Sequence, residues 1–368
     1  MNVRDLIALA LTGLLLGCGR PDLPGLPTST TQPAQAVPPL ATLTARLDPP
    51  TGQTDTPPPG PLGGVAATHT ATPDPYWPYT VEHLRTRSYG GGELEIVELL
   101  VETSYFVRYL VRFPSDGLTI YGFVNVPQKI GPLAVIIALH GYIDPGIYQT
   151  LDYTTGYADA LARAGYLVIH PNLRNYPPSD SGENLFRVGM AIDVLNLIAI
   201  IKSQAGLLEI QSGQNLLLDA DPDRLGLWGH SMGGGITTRV VTVSPDVKAA
   251  VLYAAMSGDE RQNFEAISHW SDGLRGQEEL AVPVKELGRI DPQNFFAQIT
   301  ARIAIHHGRA DELVPLAWSI HTCDTLRELS LPVECTYHQG MPHTFFGDGD
   351  LLFVQAVQNF FDRFLSPD

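Results

Sequence analysis

The run Leu225-Gly226-Leu227-Trp228-Gly229-His230-Ser231-Met232-Gly233-Gly234 limits what this chain can fold into more than any other stretch. Leu225 to Trp228 read as a short buried strand, the glycines permit a turn too tight for larger residues, and Ile236-Thr237-Thr238-Arg239-Val240-Val241 continues at once as a helix. A strand that turns straight into a helix lifts the side chain at the turn, here the Ser231 hydroxyl, onto the open edge of a sheet. Glycine at 229, 233 and 234 suits that geometry, because a Cβ on either flank would collide as strand and helix close on each other. The competing reading is a glycine-rich turn with an idle serine, and the strand before it and helix after it weigh against that.

Around this turn, short apolar runs alternate with helical patterns. Residues 133–139 and 166–170 read as strands buried on both faces, and 249–253, 302–306 and 333–337 as further strands. Residues 153–164, 185–203, 315–329 and 351–364 read as helices; in the second of these Ile192, Leu195, Ile198, Ala199 and Ile201 recur at helical spacing. This alternation predicts an α/β fold with a mostly parallel sheet and helices on both faces. Residues 93–102, 105–113 and 118–126, the last two joined by the turn Ser115-Asp116-Gly117, predict antiparallel strands at its N-terminal side. The segment 257–298 breaks the rhythm, with many charges, Trp270 and no clear strand; it is expected to form a small cap over the site or a surface excursion.

A serine hydroxyl is a weak nucleophile at neutral pH, so it needs a histidine base and a carboxylate to fix the histidine's tautomer. Asp311 follows the strand at 302–306, in His307-Gly308-Arg309-Ala310-Asp311-Glu312-Leu313-Val314-Pro315, and His343 follows the strand at 333–337, in Gly340-Met341-Pro342-His343-Thr344-Phe345-Phe346. Both are therefore expected on the sheet edge that carries Ser231, in the chain order Ser, Asp, His. Glu312 is the rival acid, but Asp311 sits better against the helix start after Val314-Pro315. His338 is the rival base, but it ends a strand, whereas His343 lies in a loop able to reach across the edge. His306 and His307 read as strand-end packing residues. The two oxyanion donors are expected to be the backbone amides of Met232 and of Tyr142, the latter in the loop His140-Gly141-Tyr142. The Tyr142 phenol either lines the acyl pocket or simply packs, and His140 is expected to anchor its loop. No histidine spacing resembles a metal site, and the chemistry needs no cofactor.

The N-terminal segment has a different character. An apolar run over 6–16 follows Arg4, too short to span a bilayer and suited to an export signal. It ends in Leu15-Leu16-Gly17-Cys18, which resembles the lipobox of bacterial lipoproteins, so Cys18 is the expected lipidation site and residues 1–18 the expected signal peptide; an ordinary secretory signal is the alternative. Fifteen of the chain's 30 prolines fall within 20–78, so 19–78 is expected to be a disordered tether and 79–368 a single catalytic domain. The expected location is outside the cytoplasm, on the periplasmic or cell-surface side, with membrane attachment only through the lipid. Export permits a disulfide between Cys323 and Cys335, which sequence leaves open. A formal charge of −16 argues against nucleic acid as a partner.

Several of these motifs, taken together, carry a family resemblance. Phe113-Pro114-Ser115-Asp116-Gly117-Leu118, Ala138-Leu139-His140-Gly141, Asp221-Pro222-Asp223-Arg224-Leu225 running on to Gly234, His307-Gly308 with Asp311-Glu312-Leu313-Val314-Pro315, and His343 resemble the catalytic domain of prolyl oligopeptidase-type serine peptidases, over about 105–368. The resemblance implies an α/β-hydrolase fold, the set Ser231, Asp311 and His343, and an acyl-enzyme. Full-length relatives resemble such a domain behind a β-propeller, whereas free-standing ones are also similar to esterases, acetyl xylan esterases and dienelactone hydrolases. The expected substrate is thus a small ester or a short peptide, and a non-catalytic binding module on the same fold is the remote alternative. Arg174 stands where relatives resemble an arginine-glycine loop end and is expected to brace loops rather than bind substrate. Asp259, Glu260, Glu265, Glu278 and Glu279 either attract a substrate amine or form a solvated face, the second being favoured.

Overall fold

The computed structural model describes residues 74–152 and 154–367. The stretch expected to be a signal peptide, Cys18 and nearly all of the expected tether lie outside the described residues. Asp74, inside the stretch assigned to the tether, already pairs with Arg289 at 2.8 Å.

Nine strands form one sheet: β1 (Glu95–Glu102), β2 (Phe106–Ser115), β3 (Leu118–Pro127), β4 (Leu133–Leu139), β5 (Leu167–Pro171), β6 (Ala220–His230), β7 (Val247–Tyr253), β8 (Arg302–Gly308) and β9 (Val333–His338), in the order β1-β2-β3-β5-β4-β6-β7-β8-β9. The first three are an antiparallel meander, β3 pairs antiparallel with β5, and every later pairing is parallel. This is the mostly parallel α/β sheet expected from the alternation, including its antiparallel opening, and it is the α/β-hydrolase architecture that the resemblance implies. β4 is buried at every residue, as its uninterrupted apolar run requires.

The helices are α1 (Val81–Thr86), α2 (Thr155–Arg163), α3 (Val188–Gln204), α4 (Met232–Val243), α5 (Glu260–Trp270), α6 (Gln277–Leu280), α7 (Val284–Ile290), α8 (Leu316–Glu328) and α9 (Gly347–Phe364). α1, α3, α4 and α8 contribute to a core on one face of the sheet, and α2 and α9 to a second on the other. α3 is buried almost all round, so its few polar residues must find partners. Asp193 receives Ser115 Oγ at 2.6 Å and the Arg174 guanidinium at 2.8 Å. Arg174 also donates to the Glu183 carbonyl at 3.0 Å, so it braces the loop after β5, as expected.

The helix expected over 185–203 begins differently. Residues 185–187 form a separate turn in which Phe186 and Arg187 hold positive φ values of 52° and 57°, and the α-helix starts at Val188. Cys323 of α8 and Cys335 of β9 are disulfide-bonded, with 6.4 Å between their Cα atoms.

The chain runs from β4 to one side through β5, then returns to the other side through β6. The carboxyl ends of β4 and β6 thus flank the point where strand order reverses, which is where sheets of this kind leave a crevice for ligands.

Candidate active site

The register of the sheet brings the expected residues to one edge. Leu139 pairs with Gly229, His230 with Tyr253, Tyr253 with His306 and Gly308 with His338, so the loops after β4, β6, β8 and β9 all leave from neighbouring positions. Ser231 sits between β6 and α4 with φ 56° and ψ −113°, a strained conformation for a non-glycine residue. Its backbone is held on three counts: its N–H donates to the Tyr253 carbonyl at 2.9 Å, and its own carbonyl accepts from Gly235 and Met256 at 3.1 Å each. The structure bears out the collision expected from the sequence. A Cβ on Gly229 would lie 2.3 Å from the Gly233 carbonyl oxygen, and one on Gly233 would lie 2.3 Å from that of Leu139 and 2.7 Å from that of His140. The second contact also shows that α4 begins directly against the His140-Gly141-Tyr142 loop.

Asp311 and His343 meet. His343 Nδ1 lies 2.8 Å from Asp311 Oδ2, and the Asp311 side chain is inaccessible to solvent. Asp311 Oδ1 accepts from the backbone N–H groups of Leu313 and Val314 at 2.9 Å each. Burial alone would raise this carboxyl, but hydrogen bonds from His307 and His343 outweigh it and hold Asp311 well below the usual carboxylate range. Glu312, the rival acid, is exposed. His338, the rival base, instead pairs with His306, Nε2 to Nδ1 at 3.0 Å, and the rings of the two stack.

Sequence reasoning missed the part played by His307. It was assigned to strand-end packing, yet its Nε2 lies 3.0 Å from Asp311 Oδ2 and 3.0 Å from the Val314 carbonyl, while its Nδ1 lies 2.7 Å from Ser319 Oγ. It therefore fixes the carboxylate from behind. The spacing His307-x-x-x-Asp311 around one tight turn was the available signal.

The His343 loop is pinned from both neighbouring strand ends. His230 Nε2 donates to the His343 carbonyl at 3.0 Å, with the two rings 4.6 Å apart, so the residue preceding Ser231 touches the loop that carries the histidine. Phe345 N–H donates to Tyr253 Oη at 2.5 Å. Burial, together with the neighbouring His343, pushes the His230 imidazole well below its ordinary range, so it serves as a neutral donor.

In the loop after β4, His140 anchors its loop as expected: Nε2 lies 2.8 Å from the Asn172 carbonyl, and Nδ1 2.7 Å from that of Gly141. Tyr148 at the far end of the loop donates to Asn172 Oδ1 at 3.1 Å. Met232 is buried at the first position of α4. Tyr142 is half exposed, and its ring lies under the Arg275 guanidinium, 4.8 Å from the centroid.

The segment 257–298 folds into α5, α6, α7 and a short 3₁₀ stretch. One correction concerns its charges: Glu260, assigned with its neighbours to a solvated face, is buried. It pairs with Arg187 at 2.8 Å and with Arg239 of α4 at 2.6 Å, and accepts from Asn263 Nδ2 at 3.0 Å. Asp291 closes the base of this segment, its Oδ1 accepting from Glu260 N–H at 3.3 Å. Burial, with the charges of Glu260 and Asp259 added, pushes the Asp291 carboxyl up to about 7. Among the described residues no group of three or more His, Cys, Asp or Glu side chains is placed to hold a metal ion.

With this geometry in view, the sequence matches the alpha/beta hydrolase fold over residues 134–290 and the prolyl oligopeptidase family over residues 214–367. The structure resembles a puromycin-hydrolyzing peptidase of Mycobacterium tuberculosis (TM-score 0.56, 20% identity), covering 74% of this chain and 41% of that one. The chain thus spans about two fifths of that peptidase. It also resembles acetyl xylan esterase 1 from Thermoanaerobacterium sp. JW/SL YS485 (TM-score 0.54, 18% identity), covering 79% of this chain and 93% of that one. A third likeness is to the acylaminoacyl peptidase of Pyrococcus horikoshii (TM-score 0.54, 18% identity), covering 77% and 52%.

Proposed function

From the premise that this chain is a serine hydrolase with the α/β-hydrolase fold, of the prolyl oligopeptidase and esterase type, we propose that it hydrolyses a carboxylic acyl bond through an acyl-enzyme on Ser231. The observation that carries this is the Asp311–His343 contact of 2.8 Å, in a loop whose His343 carbonyl is bonded by His230, the residue preceding a serine held at a strained strand-to-helix turn. In the first step Ser231 Oγ attacks the acyl carbon while His343 Nε2 takes its proton; Asp311 holds Nδ1–H and steadies the imidazolium. The oxyanion is received by the amides of Met232 and Tyr142. Collapse of the tetrahedral intermediate breaks the bond to the leaving group, to which His343 returns the proton. Water, deprotonated by the same histidine, then releases the acid and restores Ser231.

Ester hydrolysis is favoured as the substrate class, because the esterase likeness extends over 93% of that enzyme's length. Peptide hydrolysis is the second reading, supported by the family match over residues 214–367. The two share every residue named above and differ in whether His343 can protonate an amine leaving group. The domain works outside the cytoplasm, tethered through a lipidated Cys18; the Cys323–Cys335 disulfide supports an oxidising compartment.

Measuring kcat/KM on an aryl ester and an anilide with the same acyl group, beside Ser231→Ala, tests this. The expected result is turnover of the ester, a much slower or absent reaction with the anilide, and loss of both in the variant by about 10³-fold or more. Comparable rates on both substrates would move the assignment to peptidase. Turnover that survives in Ser231→Ala would remove the mechanism.

A further inference from the structure

Resting on that reading, we propose that Arg275, at the tip of the cap segment, is a positioning residue for the oxyanion loop. Its guanidinium reaches from the segment after α5 to the loop after β4, where it makes three contacts. It lies over the Tyr142 ring at 4.8 Å from the centroid, hydrogen-bonds the Tyr142 hydroxyl, and approaches Asp144 Oδ2 at 3.6 Å.

Both ends of this bridge are shaped for it. On the cap side, Ser271 accepts from Leu274 N–H through its carbonyl at 3.1 Å and from Arg275 N–H through its hydroxyl at 3.0 Å. Gly273 and Gly276 flank the tip with φ values of +78° and +82°, so a tight turn presents the arginine. On the loop side, Asp144 Oδ1 accepts from Gly146 N–H at 2.8 Å, and the Asp144 carbonyl accepts from Ile147 and Tyr148 at 3.0 Å each. Arg275 therefore grips both Tyr142 and the residue that organises the turn after it.

The oxyanion loop has a buried anchor at each of two points, His140 and Tyr148, both tied to Asn172. Tyr142, whose amide is the proposed donor, lies between them and is half exposed. An oxyanion donor must be held within a few tenths of an ångström to act in the transition state. Arg275 supplies the outer restraint at that residue, and it does so from a segment whose base is clamped to α4 through Glu260 and Arg239. Cap and oxyanion loop are thereby coupled, and the coupling acts on the chemical step more than on substrate binding.

The experiment is steady-state kinetics on a small aryl ester for the wild type, Arg275→Ala and Arg275→Lys, each also in a Tyr142→Leu background that keeps the amide and removes the ring. Arg275→Ala is expected to lower kcat about fivefold to tenfold, the weight of a cation–π contact with its hydrogen bond, while KM changes by less than about twofold. Arg275→Lys is expected to fall between, since it keeps the charge and loses the planar fork. In the Tyr142→Leu background, where only the approach to Asp144 at 3.6 Å remains, removing Arg275 is expected to cost less than about twofold further. High salt, which screens an exposed pair, is expected to lower wild-type kcat toward that of Arg275→Ala and leave the variant unchanged. A kcat within twofold of wild type in Arg275→Ala, a loss confined to KM, or losses that multiply with Tyr142→Leu would overturn the coupling. Labelling of Ser231 by a fluorophosphonate in the same samples separates the two questions. Labelled protein with unchanged kcat rejects the role of Arg275 alone, whereas protein that hydrolyses the ester without labelling rejects the serine mechanism beneath it.

Discussion

Replacing Asp311 by asparagine is expected to lower kcat on an ester by about 10⁴-fold with a much smaller change in KM. Asp311 Oδ2 faces both His343 Nδ1 and His307 Nε2, at 2.8 and 3.0 Å. Both of those nitrogens donate to the one oxygen Oδ2 while Oδ1 accepts from the loop N–H groups, so an amide must turn its NH₂ group either toward the two rings or toward the loop. With the NH₂ group toward the rings, His343 loses the acceptor that keeps its Nδ1 protonated, and with it the Nε2 lone pair that the proposed mechanism uses as base. The fold is expected to tolerate the change, because in that orientation the amide oxygen still accepts from the N–H groups of Leu313 and Val314. Glu312→Gln is the control: that side chain is exposed, and kcat is expected within twofold of wild type. A melting curve recorded beside the kinetics separates lost chemistry from lost structure.

The second large effect is on stability. Removing the carboxylate of Glu260, as in Glu260→Ala, leaves the Arg187 and Arg239 guanidiniums buried without their counter-charge and is expected to destabilise the domain by about 3–5 kcal/mol in urea unfolding. Asp291 adds a pH dependence to the same cluster, where Glu260, Asp259 and Arg239 face it. Its carboxyl is raised to about 7 from an ordinary value of 3.8, so between those values the folded protein holds a proton that the unfolded chain has released. Stability contributed by that proton is present at low pH and is lost as pH rises through about 7. Asp291→Asn, which cannot ionise, is expected to flatten the fall in stability over that window. An unchanged slope would place the proton uptake elsewhere.

These two sites show why some features were legible in the sequence and others were not. β4 coincides with the apolar run 133–139, because a strand buried on both faces has no alternative composition. The Ser231 turn was equally plain, since its glycines answer to collisions within a few residues of chain and with the adjoining strand. The placement of Asp311 and His343 on one edge followed from counting strands, and the structure brings those two side chains together.

What escaped was tertiary pairing of charge. Glu260 read as solvated because its partners, Arg187 and Arg239, lie 73 and 21 residues away, and no local pattern records such a pair. The left-handed turn at Phe186 and Arg187 has the same origin: Arg187 reaches Glu260, and the Phe186 ring packs edge-on against Phe264 of α5, so contacts with the segment 257–298 set a backbone that helical periodicity alone does not predict. Whether Cys323 and Cys335 could join was open for a like reason, since the distance between a helix and the strand after it depends on how both lie on the sheet.

The most direct measurement is the intact mass of the folded protein after treatment with a fluorophosphonate, followed by peptide mapping, on wild type and Ser231→Ala. A nucleophile at this turn predicts a single adduct, mapped to Ser231, that appears as ester hydrolysis disappears and is absent from the variant. Wild-type protein that hydrolyses the ester yet takes up no label, or takes it up at another residue, would contradict the acyl-enzyme on Ser231.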